Sequence, residues 1–239
     1  MAISNFVSDT EKFTLDGVSS DSLGLYCDYL PPMPLAEQHY TDFNTGADEQ
    51  GTTPDEVFNN IQYVIKFYRF LPDNYNDSDI KAFCFGKKIL TLSSFPDYYF
   101  KIRKISLTVA DGTGYGKRTD YTLTLIIAPF KYIVSNDQVT LSIAGAVVNE
   151  HTRYSKPEFE ITGTGNIKLT VNGVDFTVND LSTNQTVVID SMRHITYSGN
   201  TLLTGKTDGK YPMFGIGSNS VSWTGTVSSV KYRPNWRDL

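Results

Sequence analysis

The residues of this sequence with the greatest potential for chemistry are its histidines and cysteines. His39, His151 and His194 are far apart in the chain, and none has a carboxylate or a cysteine at the spacing of a metal ligand. Cys27 and Cys84 lie in apolar stretches, which are typical of buried thiols rather than of nucleophiles. Two cysteines make no disulfide framework, so synthesis in a reducing cytoplasm is the simplest interpretation.

A glycine-rich segment at residues 112–118 superficially resembles a phosphate-binding loop. Its glycines lack the required spacing, and Arg118 stands where a serine or threonine would bind magnesium, so we expect a loop between two strands. No serine-hydrolase motif occurs, and nothing singles out two carboxylates as the acid and base of a glycosidase. The sequence therefore predicts a protein that is not an enzyme and that uses no metal or cofactor.

The composition of the chain is that of an ordinary globular protein, whose strands and helices would position any site. The chain has 239 residues, of which 40% are hydrophobic and 20% charged, enough to bury a core without a disulfide or a metal. Its net charge of −5 argues against a protein whose main task is to hold nucleic acid. No run approaches the roughly 20 apolar residues of a membrane span, and residues 1–10 lack the pattern of a signal peptide. We expect neither a membrane partner nor specific nucleic-acid binding.

Short alternating runs rich in aromatic residues predict a mostly β fold of the sandwich or barrel type. One short helix is expected from Asp77, Ser78 or Asp79 to about residue 85, ended by Gly86. The strands predicted in the first half cover residues 13–18, 23–30, 38–43, 61–70, 88–92, 98–109 and 121–127. A run of short hairpins is predicted in the second half, with strands at residues 159–162, 167–171, 174–178, 186–189, 192–197, 220–223 and 227–232.

A turn-rich stretch at residues 129–138 separates the two halves. We expect an N-terminal domain over residues 1–135, a connecting segment over residues 136–156 and a β-sandwich over residues 157–239. Within the latter, residues 172–173 are Asn-Gly, which fits a two-residue hairpin turn because both of its central positions need a positive φ.

The charges divide unevenly between these halves. Residues 1–135 carry 12 basic and 17 acidic side chains, whereas residues 136–239 carry 9 of each, so the net charge lies in the first half. Between residues 13 and 65 there is no Lys or Arg, and the acids there are Asp16, Asp21, Asp28, Glu37, Asp42, Asp48, Glu49, Asp55 and Glu56. Lys101, Arg103 and Lys104 form a basic cluster later in the same half. Two interpretations stay open: ordinary solvated faces, or an acidic and a basic flank suited to head-to-tail packing in a ring.

Several motifs link the last third of the chain to a known family. Residues 157–173 are PEFEITGTGNIKLTVNG, residues 211–225 combine YPMF with GxNxVxWxG, and residues 232–239 are YRPNWRDL. These motifs are similar to those of siphophage distal tail (Dit) proteins. Residues 13–25 and 80–90 resemble the opening of that family more loosely, so the resemblance extends over nearly the whole chain.

The resemblance implies a structural protein of the virion. In this family an N-terminal belt domain, a β-sandwich with a short helix and a hairpin, closes a hexameric ring, and a galectin-like β-sandwich projects outward. The ring joins the tail tube to the tail-associated lysin or spike protein around a channel for the tape measure protein and DNA. Some members also hold receptor-binding proteins. For this chain it implies a homo-hexamer at the phage tail tip, with back-to-back rings when isolated, made in the host cytoplasm.

The charges add one expectation to this resemblance. Some of the nine acids should face the channel, where they would repel passing DNA, or should meet a neighbour's basic flank at residues 101–104.

The closing motif predicts a structural role for its aromatic and basic residues. Trp223, in an alternating strand, is expected in the core. Trp236 follows Pro234, and we expect it to hold the end of the chain against the sandwich, flanked by Arg233 and Arg237.

The alternative function is a carbohydrate-binding module that recognises host cell-wall sugars. Its stacking platform would be Trp223, Tyr197 or Tyr211. The His-x-Asn-x-Arg strand motif of sugar-binding galectins is not supplied around His194, and no insertion is long enough to be a separate module. A ring needs two complementary surfaces on each subunit, whereas a lectin needs one aromatic groove.

Overall fold

The structure is a computed structural model that describes residues 11–44, 50–70, 78–110 and 118–239. The chain divides into two compact units, Met1–Lys131 with Leu239, and Tyr132–Asp238. The glycine-rich segment lies outside the described residues except for Arg118.

The first unit combines one large sheet with a separate two-stranded hairpin. In chain order its elements are β1 (Phe13–Leu15), β2 (Val18–Ser19), a 3-10 helix (Ser20–Leu23), β3 (Gln38–Asn44), β4 (Gln50–Phe58), β5 (Ile61–Phe70), α1 (Ser78–Cys84), β6 (Ile89–Leu92), β7 (Phe95–Ala110) and β8 (Arg118–Ile133). The sheet order is β5, β8, β7, β6, β1 and β2, and the hairpin pairs β3 with β4.

The core of the first unit follows from the period-two alternation of its strands. On β5 and β8 every second side chain is buried: Ile61, Tyr63, Ile65, Phe67, Tyr121, Leu123, Leu125 and Ile127. The two strands pair antiparallel from Ile61 opposite Ile127 to Phe70 opposite Arg118. Strand side chains alternate between faces, so this register brings both apolar rows to one side of the sheet.

The predicted short helix is present. α1 begins at Ser78, and its Ile80, Phe83 and Cys84 side chains belong to the first core. Gly86 follows in the left-handed conformation (φ 76°), which commonly ends a helix.

The strand predicted over residues 23–30 is wrong. Residues Ser20–Leu23 form a 3-10 helix, and Gly24 ends it in the left-handed conformation (φ 63°). The residues that follow make only isolated bridges. The left-handed Gly24 breaks the extended backbone, and Pro31 next lacks the N–H that a ladder requires, so the alternating side chains here do not form a strand.

The second unit is built on one eight-stranded sheet. Its elements are β9 (Val139–Leu141), β10 (Gly145–Asn149), β11 (Glu158–Val171), β12 (Val174–Asp190), β13 (Ile195–Ser198), β14 (Thr201–Leu202), a 3-10 helix (Thr204–Lys206), β15 (Thr207–Gly209), β16 (Gly217–Arg233) and β17 (Arg237–Asp238). The sheet order is β10, β16, β11, β12, β13 and β14, with β15 beside β12 and β9 beside β16, and β17 is not one of its eight strands. Residues 136–156 thus contribute β9 and β10 to this sheet.

Three strands of the second unit are longer than the short hairpins predicted. β11, β12 and β16 each join two predicted strands into one. The ladder shifts register around Gly163 and Gly165, and Asp180 and Asn184 have positive φ. The residues that would favour a turn lie at these irregularities of the ladder, so each strand continues past them instead of ending in a turn. At Gly163 a Cβ would lie 2.4 Å from the Thr226 carbonyl oxygen, so the close approach of β16 requires glycine.

The prediction of a mostly β fold is confirmed. Asn172 and Gly173 both have positive φ (50° and 76°), which confirms the tight turn between β11 and β12. Within the described ranges, no helix has the length and apolarity needed to cross a membrane.

Candidate functional site

The C-terminal segment of the second unit closes over its core. The Trp236 ring lies 5.5 Å from the Phe214 ring and 6.0 Å from the His151 ring, centroid to centroid. Phe214 is fully buried, and Trp236 packs on the core cluster that contains it. The structure therefore places Trp236 where it holds the end of the chain.

Arg237 and Asp238 are charged residues that are nevertheless buried. The Nε of Arg237 donates to the Tyr154 carbonyl at 2.8 Å, and the guanidinium lies 4.4 Å from the centre of the Tyr154 ring. Asp238 accepts hydrogen bonds from the Thr152 N–H (2.8 Å) and hydroxyl (2.9 Å), and lies 3.2 Å from Nδ1 of His151. Burial disfavours the charged carboxylate, but these hydrogen bonds outweigh it and lower the pKa of Asp238.

The remaining residues of the closing motif have different environments. Trp223 on β16 is half-buried and packs against the second core, and Pro234 is buried. Arg233 is exposed and lies opposite Glu158 in the ladder. Burial and the nearby Asp190 raise the pKa of Glu158, and the positive charge of Arg233 partly offsets them.

Of the nine acids of the first unit, Asp16 and Asp21 are held by partners within the chain. Asp16 Oδ1 accepts the backbone N–H groups of Lys88 (2.9 Å) and Ile89 (2.8 Å), which ties the β1–β2 turn to β6. Asp21 forms an ion pair with Lys12 at 2.6 Å, and this hydrogen-bonded partner lowers the Asp21 pKa. These two acids therefore have hydrogen-bond or ion-pair partners inside the subunit.

The other acids lie on separate elements. Asp28 Oδ1 accepts the Tyr68 hydroxyl at 3.0 Å, and Glu37 is exposed. Asp42 lies in β3, and Asp55 and Glu56 lie in β4, but the structure describes only their backbone and not their side chains. Asp48 and Glu49 lie outside the described residues. Their orientation toward a channel or a neighbouring subunit stays a prediction.

The expected basic flank lies on β7. Lys101 is half-buried opposite Ile89, and Arg103 and Lys104 are exposed. Three positive charges thus fall within four residues of one strand. Their contact with a neighbour's acids also stays a prediction.

A groove of about 780 Å³ runs beside β5 in the first unit. It reaches the buried rings of Tyr63, Phe67 and Tyr121, and its other lining residues include Pro31, Pro32, Pro34, Gln62, Val64, Lys66 and Tyr68. At one end the Arg118 guanidinium lies 3.8 Å from the Tyr68 ring centre and pairs with Asp120 at 2.6 Å. The groove is therefore apolar inside and carries charges at its rim.

The aromatic residues proposed for sugar stacking lie on different segments of the second unit. The Tyr211 ring stacks on His194 at 5.1 Å and lies 4.7 Å from the buried Phe176 ring. Tyr197 is half-buried on β13, and Trp223 packs on the core from β16. None of Tyr197, Tyr211 and Trp223 lines the groove beside β5.

Both cysteines are buried core thiols, as the sequence predicted. Burial raises the pKa of Cys27 to about 11 and that of Cys84 to about 12, so both thiols are neutral at pH 7. Among the residues that the structure describes, no three His, Cys, Asp or Glu side chains are grouped as metal ligands.

No family model and no curated protein matches this chain in sequence. Solved structures match it in fold, and two of them are phage proteins. The SPP1 Dit (gp 19.1) protein, described as a paradigm of the hub adsorption apparatus in phages that infect Gram-positive bacteria, has a TM-score of 0.70 at 13% identity, covering 96% of this chain and 99% of that one. A chain of the phage P2 baseplate, in its activated conformation with Ca, has a TM-score of 0.52 at 11% identity, covering 94% and 96%.

The chain has the fold of a phage distal tail protein. The resemblance carried by the C-terminal motifs is thereby confirmed at the level of fold, although only 13% of the residues are identical to those of SPP1 Dit.

Within this distal tail fold, sequence reasoning missed the buried amides that join the loops of the second unit. Asn219 Nδ2 donates to the carbonyls of Val147 (3.2 Å), Gly215 (3.1 Å) and Gly217 (2.8 Å), and its Oδ1 accepts the Gly215 N–H at 2.6 Å. Asn149 Nδ2 also donates to the Gly215 carbonyl at 3.0 Å. The GxNxVxWxG pattern contains Asn219, but nothing in its spacing indicates that the amide is buried.

Proposed function

We propose that this protein is a structural hub at the distal end of a long non-contractile phage tail and has no catalytic activity. The observation that carries the proposal is the likeness to SPP1 Dit, which covers 96% of this chain and therefore includes both units. Fold alone does not specify function. The absence of any catalytic constellation in the sequence supports a role in assembly.

In this proposal six copies form a ring. The first unit is the belt domain that closes the ring, and the second unit is the galectin-like domain that projects outward. The ring joins the tail tube protein to the tail-associated lysin or spike protein, and its channel passes the tape measure protein and DNA. A receptor-binding protein is a further partner for the outer surface.

The charge distribution supports a channel that does not retain DNA. The first unit carries the whole net charge of −5. Acids on the channel wall would repel the phosphate backbone, so DNA would slide rather than bind. A ring structure in which all nine acids point to the outer solvent would contradict this part of the proposal.

Light scattering coupled to size exclusion, over a range of protein and salt concentrations, tests the ring. We expect six copies of the 26.7 kDa chain, or a double ring. Head-to-tail rings use two different surfaces on each subunit, so charge reversal of Lys101, Arg103 and Lys104 together should lower the mass, and reversal of the exposed Lys210 should not.

Labelling of intact virions separates a tail hub from a lectin. An antibody against this chain should mark the tail tip in electron micrographs, and the isolated protein should bind no glycan on a cell-wall glycan array. A monomer that labels no tail tip and binds cell-wall glycans would replace the hub by the carbohydrate-binding alternative.

A further inference from the structure

The outer edge of β5 directs backbone groups into the groove beside it. β5 pairs with β8 on one side, and on the other side Tyr68 exchanges two hydrogen bonds with Tyr26 (2.8 and 2.9 Å). In an antiparallel ladder, inward- and outward-directed residues alternate. Gln62, Val64 and Lys66 share the outward direction with Tyr68, so their N–H and C=O groups point away from β8.

The described part of the chain covers this edge at its two ends. The Cys27 thiol lies within hydrogen-bond distance of the Tyr29 carbonyl (3.3 Å) and of the Lys66 carbonyl (3.4 Å), and at the other end the Asn59 N–H is bonded to a backbone carbonyl at 2.9 Å. Between these points, and within the described residues, Gln62 and Val64 have no backbone partner on the outer side. A row of unpaired N–H and C=O groups is a template for one more strand.

The segment that faces this edge does not complete the ladder. Pro31, Pro32 and Pro34 line the groove, and proline has no N–H to donate. The Pro31 carbonyl accepts the Tyr63 hydroxyl at 2.8 Å and is therefore engaged elsewhere. A space of about 780 Å³ remains next to the unpaired edge.

We propose that this groove binds an extended segment of another protein, which adds a strand to β5. Successive side chains of a strand point to opposite sides. One row would face the apolar lining of the groove, which includes Pro31 and Pro32, and the other row would meet the charged rim. At the rim Arg118 pairs with Asp120, and Asp28 accepts the Tyr68 hydroxyl. Lys66 is exposed and makes no ion pair with a described carboxylate, so it offers a charge to the partner. The bound segment is therefore apolar on one face and carries an acid opposite Lys66 on the other.

Amide hydrogen exchange on the isolated protein is the first test, and it does not depend on the tail function. The Tyr63 and Ile65 amides point toward β8 and should be protected, whereas the Gln62 and Val64 amides should exchange rapidly. Equal protection of all four amides in dilute protein would overturn the proposal. Protection of Gln62 and Val64 that rises with protein concentration would also overturn it, because a second copy would then occupy the groove.

A peptide probe is the second test. A fluorescently labelled seven-residue peptide of alternating valine and glutamate should bind, as measured by anisotropy, and should slow exchange at Gln62 and Val64. The same peptide with its edge-facing amides methylated cannot pair with a strand and should not bind. Binding of both peptides with equal affinity, or of neither at millimolar concentration, would overturn the proposal.

Variants of the rim and of the edge complete the test. Lys66→Glu should weaken binding of the glutamate peptide about fivefold, and a valine-lysine peptide should restore it. Val64→Pro removes one edge N–H without removing a bond to β8, and should weaken binding about fivefold. Thr124→Ala, opposite Val64 on β8 and outside the groove lining, is the matched control and should bind normally. An unchanged affinity in Lys66→Glu would contradict the acid opposite Lys66, because that variant should fold whatever the outcome for Val64→Pro.

Discussion

The two units of this protein differ in how hydrogen-bonding groups outside their β-ladders find partners. In the second unit, side chains satisfy the loops: Asn219 and Asn149 bond to loop carbonyls, and Asp190 Oδ1 accepts the N–H groups of Met192 and Arg193, both at 2.9 Å. In the first unit, backbone groups of Gln62 and Val64 on the outer edge of β5 have no backbone partner among the described residues and lie beside a proline-lined groove. Buried polar groups that find partners within a unit stabilise it alone, whereas an open strand edge is a template that another chain can complete.

The largest expected effect is on stability, and it distinguishes the hydrophobic core of the second unit from that of the first. Phe214 is fully buried among the rings of Phe159, Tyr232 and Trp236, and Phe214→Ala should lower the free energy of unfolding of the second unit by about 3–5 kcal/mol. Both tryptophans belong to this unit, so urea unfolding followed by tryptophan fluorescence reports on it selectively.

Phe13→Ala is the matched variant in the first unit, where Phe13 is fully buried against Phe67 and Phe83. It should shift the transition seen by far-UV circular dichroism and leave the fluorescence transition in place. If Phe13→Ala moves the fluorescence transition as far as Phe214→Ala does, the two units unfold together and their cores are not independent.

A smaller effect tests the importance of the buried amides. In Asn219→Ala, the Gly215 N–H and the carbonyls that accept hydrogen bonds from Nδ2 lose their partner. The substitution should therefore lower the free energy of unfolding by about 2–3 kcal/mol in the fluorescence assay. Asn200→Ala, at an exposed turn position, is the control and should cost less than about 0.5 kcal/mol. Equal effects of the two substitutions would show that the loops are not held by Asn219.

The Asp238 carboxylate should make the second unit sensitive to acid. Its folded-state pKa is lowered, so its contribution is present above the unfolded pKa of about 3.9 and is lost as the pH falls through the folded pKa. Asp238→Asn should lower the free energy of unfolding by about 1 kcal/mol at pH 7 and flatten its decline below pH 4. The exposed Asp137→Asn is the control. A decline equally steep in Asp238→Asn would assign the acid sensitivity to other groups.

The smallest effect concerns the acids of the first unit. Lys12 and Asp21 form an ion pair in which both side chains are about half exposed (50% and 45%). Asp21→Asn should therefore change the free energy of unfolding of the monomer by less than about 0.5 kcal/mol, measured by circular dichroism. Lys12→Gln should match it, and the double variant should add little. A loss above about 1 kcal/mol would show that this acid stabilises the unit itself.

The part of the fold that depends on local pattern was predictable from sequence. The alternation of β5, the short α1 ended by Gly86 and the tight turn at Asn172 and Gly173 each depend on neighbouring residues, and the structure has all three. The C-terminal motifs indicated the distal tail fold for the same reason, since residue types and spacing are visible in the chain.

The rest was decided by pairing between distant strands. Gly163 could mark a turn or a bulge, and only the approach of β16 makes it a bulge within β11. Residues 23–30 alternate like a strand, but Gly24 adopts a left-handed conformation, and among the described residues the segment meets its neighbours only through isolated bridges, such as that of Tyr26 with Tyr68 of β5.

The candidate sites were also decided by contacts between distant segments. Burial of Asn219 and Asp238 and the unpaired edge of β5 depend on which segments pack around them. Side-chain alternation is a local property of the backbone, so the sequence by itself determined the apolar faces of strands such as β5 and β8. Hydrogen-bond partners and open edges are properties of the assembled sheet, so only the tertiary structure decided them.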